Sequence, residues 1–206
     1  MNNISEIYLD IKSIVISNGF AREIDWQSSI DFNQVSPSDF LRESAWVILS
    51  TGMRESIIRN KFKYLTQVFF NWNYKKIIKK KKLCSKNALK IFNHSIKIKS
   101  IINIAELLKE NDFNFIKDKI NEEGIDFLKT LPFIGPTTSY HLAKNIGFDV
   151  VKPDRHLLRI SEVLGFYSPL ELCKSINETL GDKLSVIDIV LWRFATINPD
   201  YLKYFH

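Results

Sequence analysis

One carboxylate stands out by its surroundings. Asp154 lies in the stretch Val151-Lys152-Pro153-Asp154-Arg155-His156-Leu157-Leu158-Arg159-Ile160. Pro153 keeps Lys152 out of helical geometry, so a helix begins near Arg155 with Asp154 as its N-cap. A helix N-terminus, with its dipole and unbonded N–H groups, favours negative charge there. Asp154 reads equally well as a carboxylate facing a cleft, and the two readings are compatible. Arg155, His156 and Arg159 follow, side-chain types suited to contacting phosphates. Upstream, Leu131-Pro132-Phe133-Ile134-Gly135-Pro136-Thr137-Thr138-Ser139 separates two helical stretches. Pro132 stops the first, and Gly135 is expected to permit the tight turn. Thr137, Thr138 and Ser139 cap or open the second. Backbone N–H groups at such a helix start can hold a phosphate, although helix–turn–helix corners without a ligand are common.

A second feature is electrostatic. The net charge is +6, and Lys75, Lys76, Lys79, Lys80, Lys81 and Lys82 crowd into eight residues; without these six the chain is formally neutral (6 − 6 = 0). Such a patch attracts phosphate backbones, or it is only a solvated loop. It is the best internal loop or linker in the chain. Asp188 is a charge inside the apolar run Ser185-Val186-Ile187-Asp188-Ile189-Val190-Leu191-Trp192-Arg193. It either pairs with Arg193 or another helix, or reads a base edge in a pocket. Trp26, Trp46, Trp72 and Trp192 are large aromatics that serve a core or stack on bases. His141 and His156 have no zinc-ligand spacing, and no metal site is expected.

The elements that must position these residues are helices. Ile4, Ile7, Tyr8, Ile11, Ile14 and Val15 fall at helical spacing, as do Ile58, Phe62, Leu65 and Phe69. Ile98, Ile101, Ile102, Ala105 and Leu108 repeat the pattern, and Leu184, Ile187, Val190, Leu191 and Phe194 close it. Ser36-Pro37-Ser38-Asp39 caps the helix carrying Trp46, and Ser168-Pro169-Leu170-Glu171 is a capping box. The spacing predicts roughly nine or ten helices. Strand signals are confined to residues 94–98, which lead into a helix, and to the short extended run 149–152. Apolar residues make up 45% and charged residues 25% of the 206, enough for a real core. Seven Gly and six Pro disfavour a turn-rich all-β fold. Cys84 and Cys173 are too few for an iron–sulfur cluster or a Cys-rich zinc site. No apolar run reaches a membrane span, and Met1-Asn2-Asn3-Ile4-Ser5-Glu6 lacks the pattern of a signal peptide, so a cytoplasmic protein is expected (nucleoid-associated in a bacterium, nuclear in a eukaryote).

Taken together, residues 128–165 resemble the helix-hairpin-helix DNA glycosylases that carry a Gly/Pro-rich loop and a catalytic Asp. The resemblance rests on Leu-Pro-x-Ile-Gly-x-x-Thr at residues 131–138, a following helix, and Pro-Asp-x-His-x-x-Arg at residues 153–159. Weaker echoes lie upstream. Trp46-Val47-Ile48-Leu49-Ser50 followed by Arg54-Glu55 is similar to the family's early helix and its DNA-facing end. Residues 99–105, Lys-Ser-Ile-Ile-Asn-Ile-Ala, are similar to the helix before the hairpin. Order and spacing match across roughly residues 40–165.

The resemblance implies that the hairpin, with Leu131, Pro132, Ile134, Gly135, Thr137 and Thr138, grips the DNA backbone through main-chain amides. It implies a monovalent cation among the hairpin carbonyls and Asp154 as the catalytic carboxylate. Breaking a base–sugar bond builds positive charge on the sugar, which a carboxylate stabilises while it orients water. The base must first leave the stack. Arg155, His156, Arg54, Lys75, Lys76, Lys79 and Lys80 are the further DNA-contact candidates. Met53, Trp46, Asp188 and Trp192 are the candidates for the base pocket, and Met53 or Arg54 for the wedge that fills the vacated stack.

The chain also departs from the family. Bifunctional members carry a lysine two positions after the hairpin's second Gly, where this chain has Thr137, so a monofunctional enzyme is expected. Lys144 and Lys152 are displaced amines for a lyase reaction. The four cysteines of iron–sulfur members are missing, so no cluster is expected.

The reading is therefore an all-α protein with two helical lobes around a DNA-binding cleft. One lobe spans about residues 38–147 and includes the hairpin at 128–147; the other joins about residues 1–37 to 148–206. It acts as a monomer on double-stranded DNA, removes a damaged or modified base and needs no cofactor. The alternatives are a glycosylase/abasic-site lyase and a non-catalytic helix-hairpin-helix DNA-binding module.

Overall fold

The computed structural model describes residues 4–205, so Met1, Asn2 and Asn3 of the stretch read against a leader lie outside the described residues. Every regular element among the described residues is helical, as the apolar spacing predicts. No helix among them is long and apolar enough to cross a membrane. The chain divides into two compact units, Met1–Phe32 with Gly147–His206, and Asn33–Ile146.

The first unit contains α1 (Ile4–Val15), a wide turn at Ile16–Phe20 and α2 (Ala21–Ser29). It resumes with α11 (Arg155–Val163), α12 (Pro169–Leu180), α13 (Leu184–Ile197) and a closing 3-10 turn, Tyr201–Phe205. Helix α13 is the centre, packed by α1, α2, α11 and α12. Tyr8, Ile11, Leu157, Ile160, Leu172, Ile176, Ile187, Val190 and Leu191 are buried around it. Burying each of the aliphatic ones stabilises the fold by about 1.5–3 kcal/mol. Arg193 pairs with Glu23. Its Nε and Nη2 donate to Glu23 at 2.9 and 2.8 Å, tying α13 to α2. Gly147 sits against the backbone at Phe32. It has φ +102°, and a Cβ there would lie 2.6 Å from the Phe32 N, so only glycine fits.

The second unit contains α3 (Pro37–Ser50), α4 (Glu55–Val68), α5 (Tyr74–Lys79), α6 (Lys81–Ile91), α7 (Ser95–Glu110), α8 (Phe113–Glu123), α9 (Ile125–Lys129) and α10 (Pro136–Asn145). Helix α7 is central, with α3, α5 and α6 against it, while α10 packs on α9 and α3. Ser36 and Asp39 form the expected reciprocal cap of α3. At α12 the box is shifted: Ser168 Oγ accepts from Glu171 N, but Glu171 reaches the Tyr167 amide instead of Ser168.

The thirteen α-helices among the described residues outnumber the nine or ten predicted, and part of the excess lies in the lysine run. Residues 75–82 do not form a loop. They finish α5 and begin α6. Asn73 caps α5 by accepting from Lys76 N at 3.0 Å, and Ile77 is buried. Lysine is a good helix former, and one buried Ile with a cap is enough to seat the turn.

Candidate functional site

The segment before Asp154 is fixed onto α13 by two carboxylates. Asp149 Oδ1 accepts from Ser185 N at 2.8 Å, and Asp188 Oδ2 accepts from Lys152 N at 2.6 Å. Asp188 is 1% exposed. It is thus committed to holding the chain that leads into Asp154, which corrects its assignment to a base pocket. The charge in the apolar helix is explained by a buried amide that needs an acceptor.

Asp154 is the N-cap of α11. Its Oδ1 accepts from His156 N at 2.9 Å and Leu157 N at 3.2 Å. That leaves Oδ2, which lies 3.5 Å from Lys152 Nζ. The two side chains are only 12% and 18% exposed, so the ion pair is largely enclosed. One oxygen is therefore fixed by the backbone and the other faces an amine. His156 turns its ring to Tyr201, with Nδ1 3.2 Å from the hydroxyl. Burial pushes the imidazole below its ordinary pKa; Asp154 opposes this, and Arg155, Arg159 and Lys152 reinforce it. Arg155 Nε lies 3.4 Å from Nε2, which fits the neutral ring. The His156 ring is thus engaged within the protein, and the exposed side chains on this stretch of α11 are Arg155, Leu158 and Arg159.

The turn between α9 and α10 is closed by its own side chains. Leu131 N donates to Leu128 O at 3.2 Å and Ile134 N to Leu131 O at 3.0 Å. Leu131 and Ile134 are buried, so they anchor the turn by packing. Gly135 N donates to Thr138 Oγ1 at 2.6 Å. This amide is therefore taken, which corrects its expected role as a phosphate donor, and the Thr138 hydroxyl is spent on the same bond. Among the described residues, no hydrogen bond within the chain uses the amides of Phe133, Thr137 or Thr138.

Gly135 is also not the tight-turn residue. Its φ is −110°, and the left-handed residue is Phe133, at φ +68°. A Cβ on Gly135 would meet only Thr138 Oγ1, at an ordinary 3.8 Å. Nothing inside the protein therefore demands glycine there.

Lys97, on α7, is a buried ammonium that the sequence reading missed. Its Nζ donates to Leu49 O at 2.9 Å and Thr51 O at 2.5 Å, satisfying the C-terminal carbonyls of α3. Burial lowers its pKa from the ordinary lysine value. Glu43 is a second missed group: it accepts from Asn145 Nδ2 at 3.0 Å and pairs with Arg42, joining α3 to α10. Burial raises its carboxyl pKa, with Arg42 opposing. Neither residue carries a sequence signal beyond lying on an apolar helix.

The remaining candidates fall on both units. Met53 and Arg54 are exposed after α3, and Glu55 pairs with Arg59 instead of Arg54. Trp46 packs edge-on against Phe62 at 5.1 Å with the Arg59 guanidinium over its ring, so it serves packing in this conformation. Trp192 is covered by Arg193 at 4.7 Å. Trp72 is buried, and Trp26 is partly exposed on α2. Lys144 is 3% exposed on α10, which removes it as an accessible amine. Lys75, Lys76, Lys79, Lys80, Lys81 and Lys82 are all exposed, with Lys81 held by Glu106 at 2.5 Å. No group of His, Cys, Asp and Glu suited to a metal ion occurs among the described residues. The chain matches no family model, no curated protein and no solved structure.

Proposed function

We propose that the chain is a DNA glycosylase that hydrolyses the N-glycosidic bond of a damaged or modified base flipped out of duplex DNA. The carrying observation is Asp154, with Oδ1 fixed by two amides and Oδ2 beside Lys152 in a largely enclosed setting. In this reading the C1′–N bond breaks and the base leaves with its electron pair. Asp154 stabilises the positive charge that develops on the sugar. A water oxygen adds at C1′, its proton passing to the carboxylate or to solvent, and an abasic site remains. The amides of Thr137 and Thr138, at the second and third positions of α10, are the donors for a backbone phosphate, with Gly135 allowing close approach. The α9–turn–α10 segment acts as the helix-hairpin-helix element. The turn carbonyls of Leu128 and Leu131 have a second lone pair that a monovalent cation could share, and no step depends on it. Arg155, Arg159 and the lysines of α5 and α6 add phosphate contacts.

A specific observation favours a second reading, in which Lys152 supplies lyase chemistry. Its Nζ is 3.5 Å from Asp154 Oδ2, the placement an amine needs to attack C1′ while the carboxylate manages protons. The amine would form a Schiff base with the opened sugar, and β-elimination would expel the 3′ phosphate. Base release from a panel of singly modified duplexes tests the main reading, with Asp154→Asn beside wild type. Borohydride trapping of wild type and Lys152→Gln separates the two: a covalent adduct that disappears in the variant establishes the lyase. A binding-only module would hold duplexes tightly and release no base from any of them.

A further inference from the structure

We propose that Phe133 is the aromatic wedge that occupies the DNA stack when a base is flipped out, an inference that rests on the glycosylase reading above. The starting point is a conflict between residue type and backbone. The six glycines other than Gly135, namely Gly19, Gly52, Gly124, Gly147, Gly165 and Gly181, have positive φ; Phe70, Asn71 and Trp72 share one further left-handed turn, which the buried Trp72 anchors, whereas the hairpin turn places the exposed Phe133 at φ +68°. A bulky side chain in the left-handed region is a strained choice, and glycine would relieve it.

Burial does not offset that strain. The Phe133 ring is 37% exposed, while its neighbours Leu131 and Ile134 supply the turn's packing. The ring is nevertheless held in place. Its plane stands edge-on to His94, with centroids 6.1 Å apart and an interplanar angle of 85°. Lys97 Nζ lies 5.6 Å from the ring centroid. Lys97 is itself fixed by the Leu49 and Thr51 carbonyls, so the ring rests on a rigid support at the end of α3. Met53 and Ile96, chain neighbours of that support, are also exposed apolar residues.

An exposed, braced aromatic beside unbonded backbone amides matches what DNA presents. The amides take a phosphate, and the ring takes the apolar face of a base left without its stacking partner. Phe133 thus replaces Met53 and Arg54 as the principal filler of the gap. It is a positioning residue, since it acts on the stack and not on the sugar.

The test uses a duplex carrying a stable abasic analogue opposite 2-aminopurine. Binding is followed by anisotropy, and stacking by 2-aminopurine fluorescence at saturation. Phe133→Gly relieves the backbone strain but loses the ring's contacts to His94 and Lys97, so it should stay folded with a Tm within about 5 °C of wild type. It should lose most of the fluorescence change, at least threefold, at saturating protein. Phe133→Leu, which keeps an apolar wedge, should retain part of the change and controls for folding. Asp154→Asn should keep the full change while abolishing base release. An unaltered fluorescence change in Phe133→Gly overturns the wedge and leaves the glycosylase reading standing. A wild-type protein that does not bind this duplex overturns both. A wedge signal lost in Phe133→Gly, with no base released by wild type from any duplex, supports the wedge and overturns the glycosylase.

Discussion

Replacing Asp188 by Ala tests whether a buried carboxylate holds the candidate catalytic segment. Asp188 Oδ2 accepts from Lys152 N at 2.6 Å, and the residue is 1% exposed. Truncation leaves a buried amide without its charged acceptor, a loss of about 2 kcal/mol. For a chain of this length that lowers Tm by roughly 4–8 °C. Asp188→Asn keeps a neutral acceptor and should lose about half as much. The local signature is hydrogen exchange: the Lys152 amide should exchange faster in the Ala variant, while amides in the middle of α7, in the other unit, should keep their protection relative to global stability. Base release should fall as well, because Lys152 and Asp154 lose their register. A Tm within about 1 °C of wild type, with an unchanged Lys152 exchange rate, would refute the reasoning.

Three further outcomes follow from the site. Gly135→Ala should leave Tm unchanged, because its Cβ meets only Thr138 Oγ1 at 3.8 Å, yet weaken duplex binding if a phosphate approaches the turn; anisotropy and thermal melting read the two effects separately. His156 has a folded pKa below its unfolded one, chiefly through burial, so the stability of its neutral form is present above the unfolded value of about 6.5 and is lost as pH falls through the folded pKa. His156→Gln should accordingly show a smaller drop in Tm between neutral and mildly acidic pH. Neutralising Lys75, Lys76, Lys79, Lys80 and Lys82 should flatten the log–log salt dependence of duplex binding by roughly 4–5 units if all five meet phosphates, whereas an unchanged slope assigns them to solvent.

The helical character was legible because apolar spacing survives in almost every element. Ile98, Ile101, Ile102, Ala105 and Leu108 are all buried on α7 as their spacing requires. The lysine run was misread because repeated like charge resembles a solvated loop, while the deciding contributions, one buried Ile77 and one Asn73 cap, are single residues. Asp154 was legible as an N-cap because Pro153 and the following apolar pattern fix a helix start. Its neighbourhood was not. Asp149 on the segment before it binds Ser185 of α13, and Asp188 of α13 binds Lys152, across sequence separations that no local pattern records; Tyr201 reaches His156 in the same way. Phe133 was hidden for a different reason. Glycine is the residue that signals a left-handed turn, and here the turn runs through an aromatic while Gly135 next door is extended.

The central claim is that Asp154 serves chemistry as well as capping α11, and the two roles can be separated. Asn caps a helix about as well as Asp but cannot carry the charge that faces Lys152, so Asp154→Asn should stay folded with a Tm lowered by about 3–6 °C. The decisive measurement is base release from a panel of duplexes, each with one altered base, by wild type and Asp154→Asn, with hot alkali revealing abasic sites. The account predicts release of at least one base by wild type and loss of that release, at least a hundredfold, in the folded variant. Undiminished release by Asp154→Asn, or intact strands across the whole panel despite tight binding by wild type, would contradict it.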